Sequence, residues 1–394
     1  MRDPAPPPPS RDRFQPLTAG VLAAVVGFAS TFAIILQGLA GVGASPAQAA
    51  SGLLVLCVVQ GAVGIGLSLR TRQPISIVWS TPGAALLMGL GVPHGGFGVA
   101  VTAFLLTGAL IAAAGLWRPL GRAVAAIPLP IASAMLGGIL MEICLAPVQA
   151  VAQLPTLALP IVAAWALGWR FARRYAVPIA VLVTVAIVGA TTPIPAGALA
   201  LPHPVLTAPV WNLLPAAGIA IPLFIVTMAS QNVPGLAVLR TNGYEAPVGA
   251  SFVSTGMGTM AIAALGGHGI NLSAITAALC AGPEAGADPA RRYLAAIAAG
   301  ATYIVLGLFA GFAAAFITAS PPLLIQAVAG LALLGSLAAS LHGALADDRH
   351  RLAAIVTFVT TASGIAPFGV GAAFWGLAAG SLLLLLENSG KRPK

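Results

Sequence analysis

Long apolar stretches alternate with short polar ones along the whole chain, and this pattern sets the number of helices that the sequence predicts. All eighteen Lys and Arg residues fall into eight short clusters, and the seven stretches between the clusters, 39 to 65 residues long, contain no basic residue. A helix that crosses a hydrocarbon core of ~30 Å needs about 20 mostly apolar residues. Each stretch therefore has room for a hairpin of two membrane-spanning helices, which predicts fourteen spans.

Turn signals and apolar runs within these stretches give the approximate position of each span. The first seven predicted spans are 17–42, 50–69, 75–91, 97–116, 122–145, 148–169 and 174–191. The other seven are 213–234, 247–264, 268–283, 290–317, 322–341, 350–366 and 368–387. Because Lys and Arg accumulate in cytoplasmic loops, the basic clusters and both termini are predicted on the cytoplasmic face of a bacterial-type inner membrane.

A proline-rich segment without Asp, Glu, Lys or Arg, 193–212, separates two parts with seven predicted spans each. We interpret it as an extracellular linker between a first repeat, 17–192, and a second repeat, 213–388. Since an odd number of spans makes the second part enter the membrane from the opposite face, the two parts are predicted to be inverted repeats. The proline-rich start of the chain, 1–16, is predicted to be a disordered cytoplasmic tail. The predicted fold class is an all-α polytopic membrane protein.

The composition agrees with a membrane protein and excludes other classes. The chain is 59% hydrophobic and only 7% charged, far from the roughly 25% charged residues of a soluble domain. Its net charge of +9 is spread over short loops, so nucleic-acid binding is not expected. The three cysteines lie in apolar segments without metal-ligand spacing, and no cofactor or metal is predicted. Nine acidic residues and five histidines are too scattered for a catalytic cluster, so an enzyme is not expected.

The third and tenth predicted spans are the shortest and most polar of their halves, and both are interrupted by Gly or Pro. Such segments at matching positions of two repeats are the best sequence indication of a transporter binding site. In the third span, Ser80, Thr81, Pro82 and Gly83 stand between a β-favouring and a helix-favouring run. Ser or Thr at an N-cap with Pro at the first helical position is the expected start of a helix. A helix that begins at the membrane midplane presents unpaired N–H groups, which attract anions.

Polar residues of the tenth and eighth spans are predicted to complete this anion site. Asn271 and Ser273 follow the glycines of the tenth span and are placed opposite the first half-helix. The eighth span adds four polar residues that can hydrogen-bond a carboxylate, namely Thr227, Ser230, Gln231 and Asn232. Two alternatives stay open. In the first, the short segments are ordinary spans kinked by Pro and Gly. In the second, the polar residues of the eighth span only hold helices together.

Few ionisable residues fall inside the predicted spans, where such residues are costly and usually functional. Glu142 is placed near the outer end of the fifth span, and no functional role is expected for it. Glu284 ends the tenth span and either pairs with Arg291 and Arg292 or takes part in proton coupling. His268 precedes the second half-helix and either titrates near neutral pH or makes a polar contact.

Several of these motifs together resemble one transporter family. They are TMASQNVPG at 227–235, GGHGINL at 266–272, CAGPEA at 280–285 and DPARRY at 288–293, with GFAS at 27–30 and STPGAALL at 80–87. In combination they resemble the BenE-type benzoate/proton symporters over residues 14–388. One position departs from the family pattern, because Gly286 stands where a His is expected. This departure weakens the hypothesis of a His–Glu proton pair in that loop.

The resemblance implies the fold of the uracil permease and the nucleobase-ascorbate transporters, with fourteen helices in two inverted repeats. It also implies a core domain from spans 1–4 and 8–11 and a gate domain from spans 5–7 and 12–14. The carboxylates with which nucleobase carriers bind ring N–H groups have no counterpart here, since Gln231 and Asn232 occupy that part of the eighth span. Their absence fits an aromatic acid as substrate, because a fixed carboxylate would repel it.

The leading hypothesis is secondary active import of benzoate or a related aromatic carboxylate, coupled to protons. The carboxylate is placed between the two half-helix N-termini, and the ring against apolar side chains such as Phe32 or Met228. His268 and Glu284 are the candidates for proton coupling. A homodimer in the lipid bilayer is a possible assembly. The alternatives are an inorganic anion or nucleobase transporter of the same fold, and an anion channel.

Overall fold

The structure, a computed structural model, describes residues 14–117, 119, 128–192, 201–273, 275–365, 367 and 371–389, and most of them are helical. The first half contains α1 (Gln15–Gly41), α2 (Pro46–Thr71), α3 (Thr81–Leu90), α4 (Phe97–Leu116), α5 (Leu129–Gln153), α6 (Pro155–Phe171) and α7 (Ala176–Thr191). The second half contains α8 (Leu213–Thr227), α9 (Val233–Thr241), α10 (Val248–Ala263), α11 (Ile275–Ala281), α12 (Tyr293–Gly307), α13 (Ala310–Ala319), α14 (Pro322–Leu345), α15 (Arg351–Ala362) and α16 (Ala372–Ser389). Two strands, β1 (Ile77–Trp79) and β2 (Ile270–Leu272), precede α3 and α11.

Shorter helical turns complete the secondary structure. A π-helical segment, Met228–Asn232, connects α8 to α9. In the described part of the chain, 3₁₀ turns lie between the longer helices at Arg173–Tyr175, Pro283–Ala285, Pro289–Arg291 and Asp348–His350. The fold is thus helical, as predicted, with two strands of three residues each.

The helices form a membrane protein, although the described residues contain fewer long apolar helices than the fourteen spans that the sequence predicts. Among the described residues, six helices are long and apolar enough to cross a membrane, or seven if the bent pair Pro289–Gly307 and Ala310–Ala319 forms one span. That pair bends by 56°, where the sequence predicts one span, 290–317. The count of fourteen spans and the division into repeats remain predictions. The predicted tail lies mostly, and the predicted linker partly, outside the described residues.

One helix boundary differs from the prediction in a way that matters for function. The fifth predicted span ends at 145, just before Pro147, whereas α5 continues through Pro147 to Gln153. A proline inside a membrane helix is tolerated because neighbouring groups satisfy the backbone atoms that it frees. Glu142 therefore lies near the middle of α5 and not near its outer end.

The helices pack in two groups. In the first group, α1 packs on α3 and α12, α2 on α12, and α4 on α8 and α10. In the second group, α5 packs on α14 and α15, α15 on α16, and α6 on α7. Helix α3 of the first group also contacts α5 of the second. The contact between α3 and α5 is therefore one of the places where the two groups meet.

The approach of α4 and α10 within the first group depends on glycine. A Cβ atom added at Gly256 would lie 2.4 Å from Ala112 N and 2.6 Å from Gly108 O. A Cβ atom added at Gly108 would in turn lie 2.8 Å from Gly256 O. These distances are too short for any other residue without movement of a helix, and such small-residue contacts are typical of membrane helices.

The two strands join the two halves of the chain. They pair in antiparallel fashion with Val78 opposite Asn271, and all their residues are buried. Unpaired backbone groups are costly in an apolar interior, and the pairing satisfies those that precede the two short helices. As a result, the start of α3 lies beside the segment that leads into α11.

The described part of the predicted linker lies across helix ends of the first group. Val205 N donates a hydrogen bond to Ser51 Oγ at 2.8 Å, and Val210 N donates to Gly98 O at 2.9 Å. Thr102 Oγ1 donates to Val210 O at 2.8 Å. Residues 205–210 are therefore attached to α2 and α4.

Candidate functional site

Hydrogen bonds of Ser80 connect the start of α3 to neighbouring segments of the chain. Its hydroxyl accepts a hydrogen bond from Gly83 N at 3.2 Å, as an N-cap does, and also bonds Thr227 Oγ1 at 2.8 Å. Its carbonyl lies 2.9 Å from His268 Nε2, which must carry the proton because a carbonyl only accepts. Its N–H donates to Gly269 O at 3.2 Å. Ser80, Thr227 and His268 are at most 1% exposed, so their hydrogen bonds build the scaffold of the site.

Asn232 and Ser273 hold β2 and α11 in place. The fully buried Asn232 side chain accepts a hydrogen bond from Leu272 N at 2.9 Å and donates one to Met228 Sδ at 3.1 Å. The Ser273 hydroxyl accepts a hydrogen bond from Thr276 N at 3.0 Å and thereby caps α11. Both side chains therefore serve local structure. For Asn232, this agrees with the alternative that the polar residues of the eighth span only hold helices together.

The polar part of the eighth span is the π-helical segment between α8 and α9. Helix α8, this segment and α9 together form one continuous, mostly apolar helix, Leu213–Thr241. π-Helical turns are rare in proteins, and many of those that do occur lie at functional sites. Ser230 donates its hydroxyl to Val226 O within the helix. Gln231 is half-buried, and its side chain forms no hydrogen bond with the described residues. The segment contacts β2, and the partner strand of β2, β1, leads into α3.

Several polar groups around the start of α3 lack a protein partner within the described residues. Thr81 is half-buried, and its hydroxyl forms no such bond. His268 Nδ1 and Asn271 Oδ1 are buried and unpaired, although Asn271 Nδ2 donates to Leu272 O at 2.8 Å. A buried polar atom without a partner costs free energy, and such atoms point to bound water or ligand. Thr81 can therefore donate to a ligand, whereas the unpaired His268 and Asn271 atoms are acceptors and suit bound water rather than an anion.

Gly83, the remaining predicted site residue of α3, has a packing role. A Cβ atom added there would lie 2.5 Å from Leu223 Cδ1 and 2.7 Å from Ser80 Oγ. The missing side chain therefore lets the first turn of α3 contact α8. Because its N–H is bonded to Ser80 Oγ, this position contributes to anion binding only through the helix dipole.

Aromatic side chains of α1 and β1 lie side by side next to this polar cluster. The rings of Phe28 and Phe32 stack with centroids 5.5 Å apart, and Phe28 lies 5.8 Å from Trp79. Trp79 Nε1 donates to Thr31 Oγ1 at 3.0 Å, and its ring lies 5.5 Å from Tyr303. The side chains predicted to contact the substrate ring include Phe32 but not Phe28 or Trp79. The available signal was the spacing of Phe28 and Phe32 by four residues, which puts them on one helix face.

The structure does not bring Glu284 to His268. Glu284 is exposed in the 3₁₀ turn beyond α11, whereas His268 is fully buried before β2. The expected pairing of Glu284 with arginine is also not formed among the described residues. Arg292 is instead buried and donates from Nε to Gly286 O at 2.9 Å and from Nη1 to Ala281 O at 2.8 Å. This arginine satisfies backbone carbonyls at the end of α11.

The whole arrangement matches solved membrane transporters in fold. The transmembrane domain of the cyanobacterial bicarbonate transporter BicA aligns with a TM-score of 0.58 at 15% identity, covering 96% of this chain and 98% of that one. The murine anion transporter Slc26a9 in its inward-facing state aligns with a TM-score of 0.62 at 14% identity, covering 95% of this chain and 69% of that one. The fold and its buried polar junction thus define a multi-pass membrane protein with the architecture of these transporters.

Sequence comparison gives the family. The family model described as benzoate membrane transport protein matches residues 12–386. The inner membrane protein YdcO of Escherichia coli is 38% identical over 97% of this chain and 96% of its own length. The benzoate membrane transport protein of Acinetobacter baylyi is 31% identical over 92% of this chain and 93% of its own. The chain belongs to the BenE family of benzoate membrane transport proteins, and it is a membrane transporter rather than an enzyme.

Proposed function

We propose that this transporter imports benzoate or a related aromatic carboxylate across a bacterial inner membrane by proton symport. The observation that carries the proposal is the buried junction of β1, β2 and the π-helical segment beside the first turn of α3. The family supports it, since the relative from Acinetobacter baylyi is called a benzoate membrane transport protein. The two termini are proposed to lie in the cytoplasm, as the basic clusters predict.

The substrate carboxylate binds at the first turn of α3 in this proposal. Helix α3 is ten residues long, and the N-terminus of a helix carries partial positive charge. Gly83 N is already bonded to Ser80 and Pro82 has no N–H, so Thr81 supplies the free backbone N–H as well as a free hydroxyl. Gln231 supplies an amide donor from the π-helical segment. The third, eighth and tenth predicted spans contain no Lys or Arg, so neutral donors bind the anion.

This placement narrows the sequence hypothesis, which put the carboxylate between two helix N-termini. Helix α11 has only seven residues, and Ser273 already caps it. We therefore assign α11, Asn271 and His268 to positioning β2 and the start of α3. The aromatic ring of the substrate lies against Phe28 and Phe32, whose stacked rings offer an apolar surface.

Transport requires the site to open to each side of the membrane in turn. The packing of the helices in two groups supports the proposal of a core and a gate domain, one of which moves against the other. Alternating access of this kind is typical of transporters built from repeats, with the substrate site at the interface near the midplane. Helix α3 contains the substrate site and also contacts α5 of the gate group. It therefore connects the substrate site to the gate domain.

Uptake into proteoliposomes tests this proposal. Labelled benzoate should accumulate when the outside is acidic relative to the lumen, and collapse of the gradient with a protonophore should abolish accumulation. Excess unlabelled benzoate should compete, whereas uracil, sulfate and bicarbonate should not. Competition by sulfate or bicarbonate would favour an inorganic anion transporter, and competition by uracil a nucleobase carrier. Flux that only equilibrates benzoate, with or without the gradient, would indicate a channel.

A further inference from the structure

Glu142 is the one described acidic residue near the middle of a long apolar helix. The other described acidic residues lie in loops, in 3₁₀ turns or near the end of α16. Glu142 is exposed on α5 and lines a cleft between the two helix groups. The walls of this Glu142 cleft include Leu86, Gly89 and Leu90 of α3, Gly138 of α5, and Thr361 and Gly364 at the end of α15. No other described residue of the cleft is titratable.

A second polar group in the Glu142 cleft lacks a partner. Thr361 is only 5% exposed, and its hydroxyl forms no hydrogen bond with the described residues. Glu142 likewise has no ion pair or hydrogen bond to any of them. The Thr361 hydroxyl oxygen faces Gly376 of α16, so water in the cleft does not reach it. The described walls of the cleft therefore contain one carboxylate and no cationic side chain.

An isolated carboxylate in this place has a consequence for domain movement. While the cleft is open, water solvates the charge on Glu142. If α3 moves against α5 and closes the cleft, an ionised carboxylate loses that water without gaining a cation, which is strongly unfavourable. A protonated carboxyl group carries no charge and loses much less. Closure of the cleft is therefore easy only after Glu142 has bound a proton.

We propose that Glu142 is the group that binds the transported proton, and this inference rests on the proposed function. Helix α3 offers the substrate site at its first turn and lines the Glu142 cleft with its last turns. Ten residues of helix span about 15 Å, so one rigid element connects the two sites. Glu142 takes a proton from outer water, the core moves with substrate bound, and the carboxyl group releases the same proton to inner water. Substrate movement is then coupled to protonation of a residue outside the substrate site.

The experiment compares two modes of transport by Glu142→Gln in proteoliposomes. Uptake driven by an inward proton gradient requires protonation and deprotonation, whereas benzoate exchange at equal pH on both sides requires only that the protonated form moves. Gln mimics the protonated carboxyl group, so the variant should lose at least about tenfold in gradient-driven accumulation and retain exchange within about twofold. Exchange by the unsubstituted protein should depend on pH, and exchange by Glu142→Gln should not. Glu142→Asp should restore part of the accumulation.

Matched variants separate this role from a general effect of charge. Glu284→Gln removes the carboxylate that the sequence analysis names for proton coupling, and Glu245→Gln removes an exposed loop carboxylate. Both should accumulate benzoate normally. Accumulation by Glu142→Gln equal to that of the unsubstituted protein would overturn the inference. Loss of both modes in a variant with unchanged thermal stability would also overturn it and assign Glu142 to substrate binding. If the unsubstituted protein transports no benzoate in either mode, the proposed function itself fails.

Discussion

Two adjacent residues, Ser80 and Thr81, show how the structure divides work between scaffold and ligand. Both were expected to contact the substrate. Ser80 is fully buried and bonded to Gly83, Thr227 and His268, whereas Thr81 is half-buried with a free hydroxyl. Sequence alone could not separate them, because both are good N-cap residues and the deciding contacts come from segments almost 150 and 190 residues away.

Substitution of these two residues should therefore give different results. Ser80→Ala removes the N-cap and the bond to Thr227, and loss of such a cap alone costs ~1 kcal/mol, so its melting temperature should fall. Thr81→Val keeps the shape of the side chain and removes only the hydroxyl, so the melting temperature should not change. Loss of one ligand hydrogen bond of ~1 kcal/mol should raise the KM for benzoate about fivefold. Thermal unfolding in detergent and uptake kinetics measure both, and an unchanged KM for Thr81→Val would remove Thr81 from the site.

The charge of the side chain at position 231, Gln231 in this protein, should determine whether the site binds a carboxylate. A carboxylate introduced by Gln231→Glu near the substrate carboxylate costs ~4 kcal/mol for charges 4 Å apart at an effective dielectric constant of about 20. Benzoate uptake should therefore fall by at least about tenfold, while the neutral Gln231→Met should lose less. Asn232→Asp is not an equivalent test, because Asn232 accepts the Leu272 N–H within the scaffold. Equal benzoate affinities for Gln231→Glu and Gln231→Met would contradict the placement of the carboxylate.

At the level of elements, the sequence predicts the short third and tenth segments but not how they are joined. Capping chemistry at Ser80 and the Pro and Gly interruptions are local signals, and α3 and α11 begin close to where these signals place them. The antiparallel pairing of β1 with β2 is long-range, and three-residue strands carry no periodicity that would reveal it. The predicted end of the fifth span, 145, falls short of Gln153, where α5 ends. That single misplacement hid the central position of Glu142.

Glycine contacts between elements give a prediction about stability. Gly256→Ala places a Cβ atom 2.4 Å from the backbone of α4, so the helices must separate, and such overpacking costs ~1 to 3 kcal/mol. Gly66→Ala is the matched control, since a Cβ atom there meets nothing within 4 Å and alanine favours helix. The melting temperature should fall for Gly256→Ala and stay equal or rise for Gly66→Ala. Equal melting temperatures would show that α4 and α10 do not pack this closely.

For the whole molecule, the first open question is orientation in the membrane. His203 is exposed in the predicted extracellular linker, and Asp348 is exposed in a turn next to a predicted cytoplasmic cluster. The native cysteines of the described chain are buried, so they should react slowly. In spheroplasts, a membrane-impermeant maleimide should label His203→Cys at once and Asp348→Cys only after permeabilisation. The reverse pattern would invert the predicted topology.

The second question is whether transport requires the two helix groups to move against each other. Leu90 ends α3, and Gly371 precedes α16 of the other group; a Cβ atom at Gly371 would lie 3.5 Å from Leu90 Cγ. A disulfide in Leu90→Cys/Gly371→Cys should therefore stop benzoate uptake, and reduction should restore it. Gly98→Cys/Val210→Cys is the control, because a Cβ atom at Gly98 would lie 3.3 Å from Val210 Cβ and both segments belong to the first group. That disulfide should leave uptake intact. If the cross-link between the groups also permits full uptake, the substrate crosses without the proposed movement, and a fixed channel between the groups becomes the better explanation.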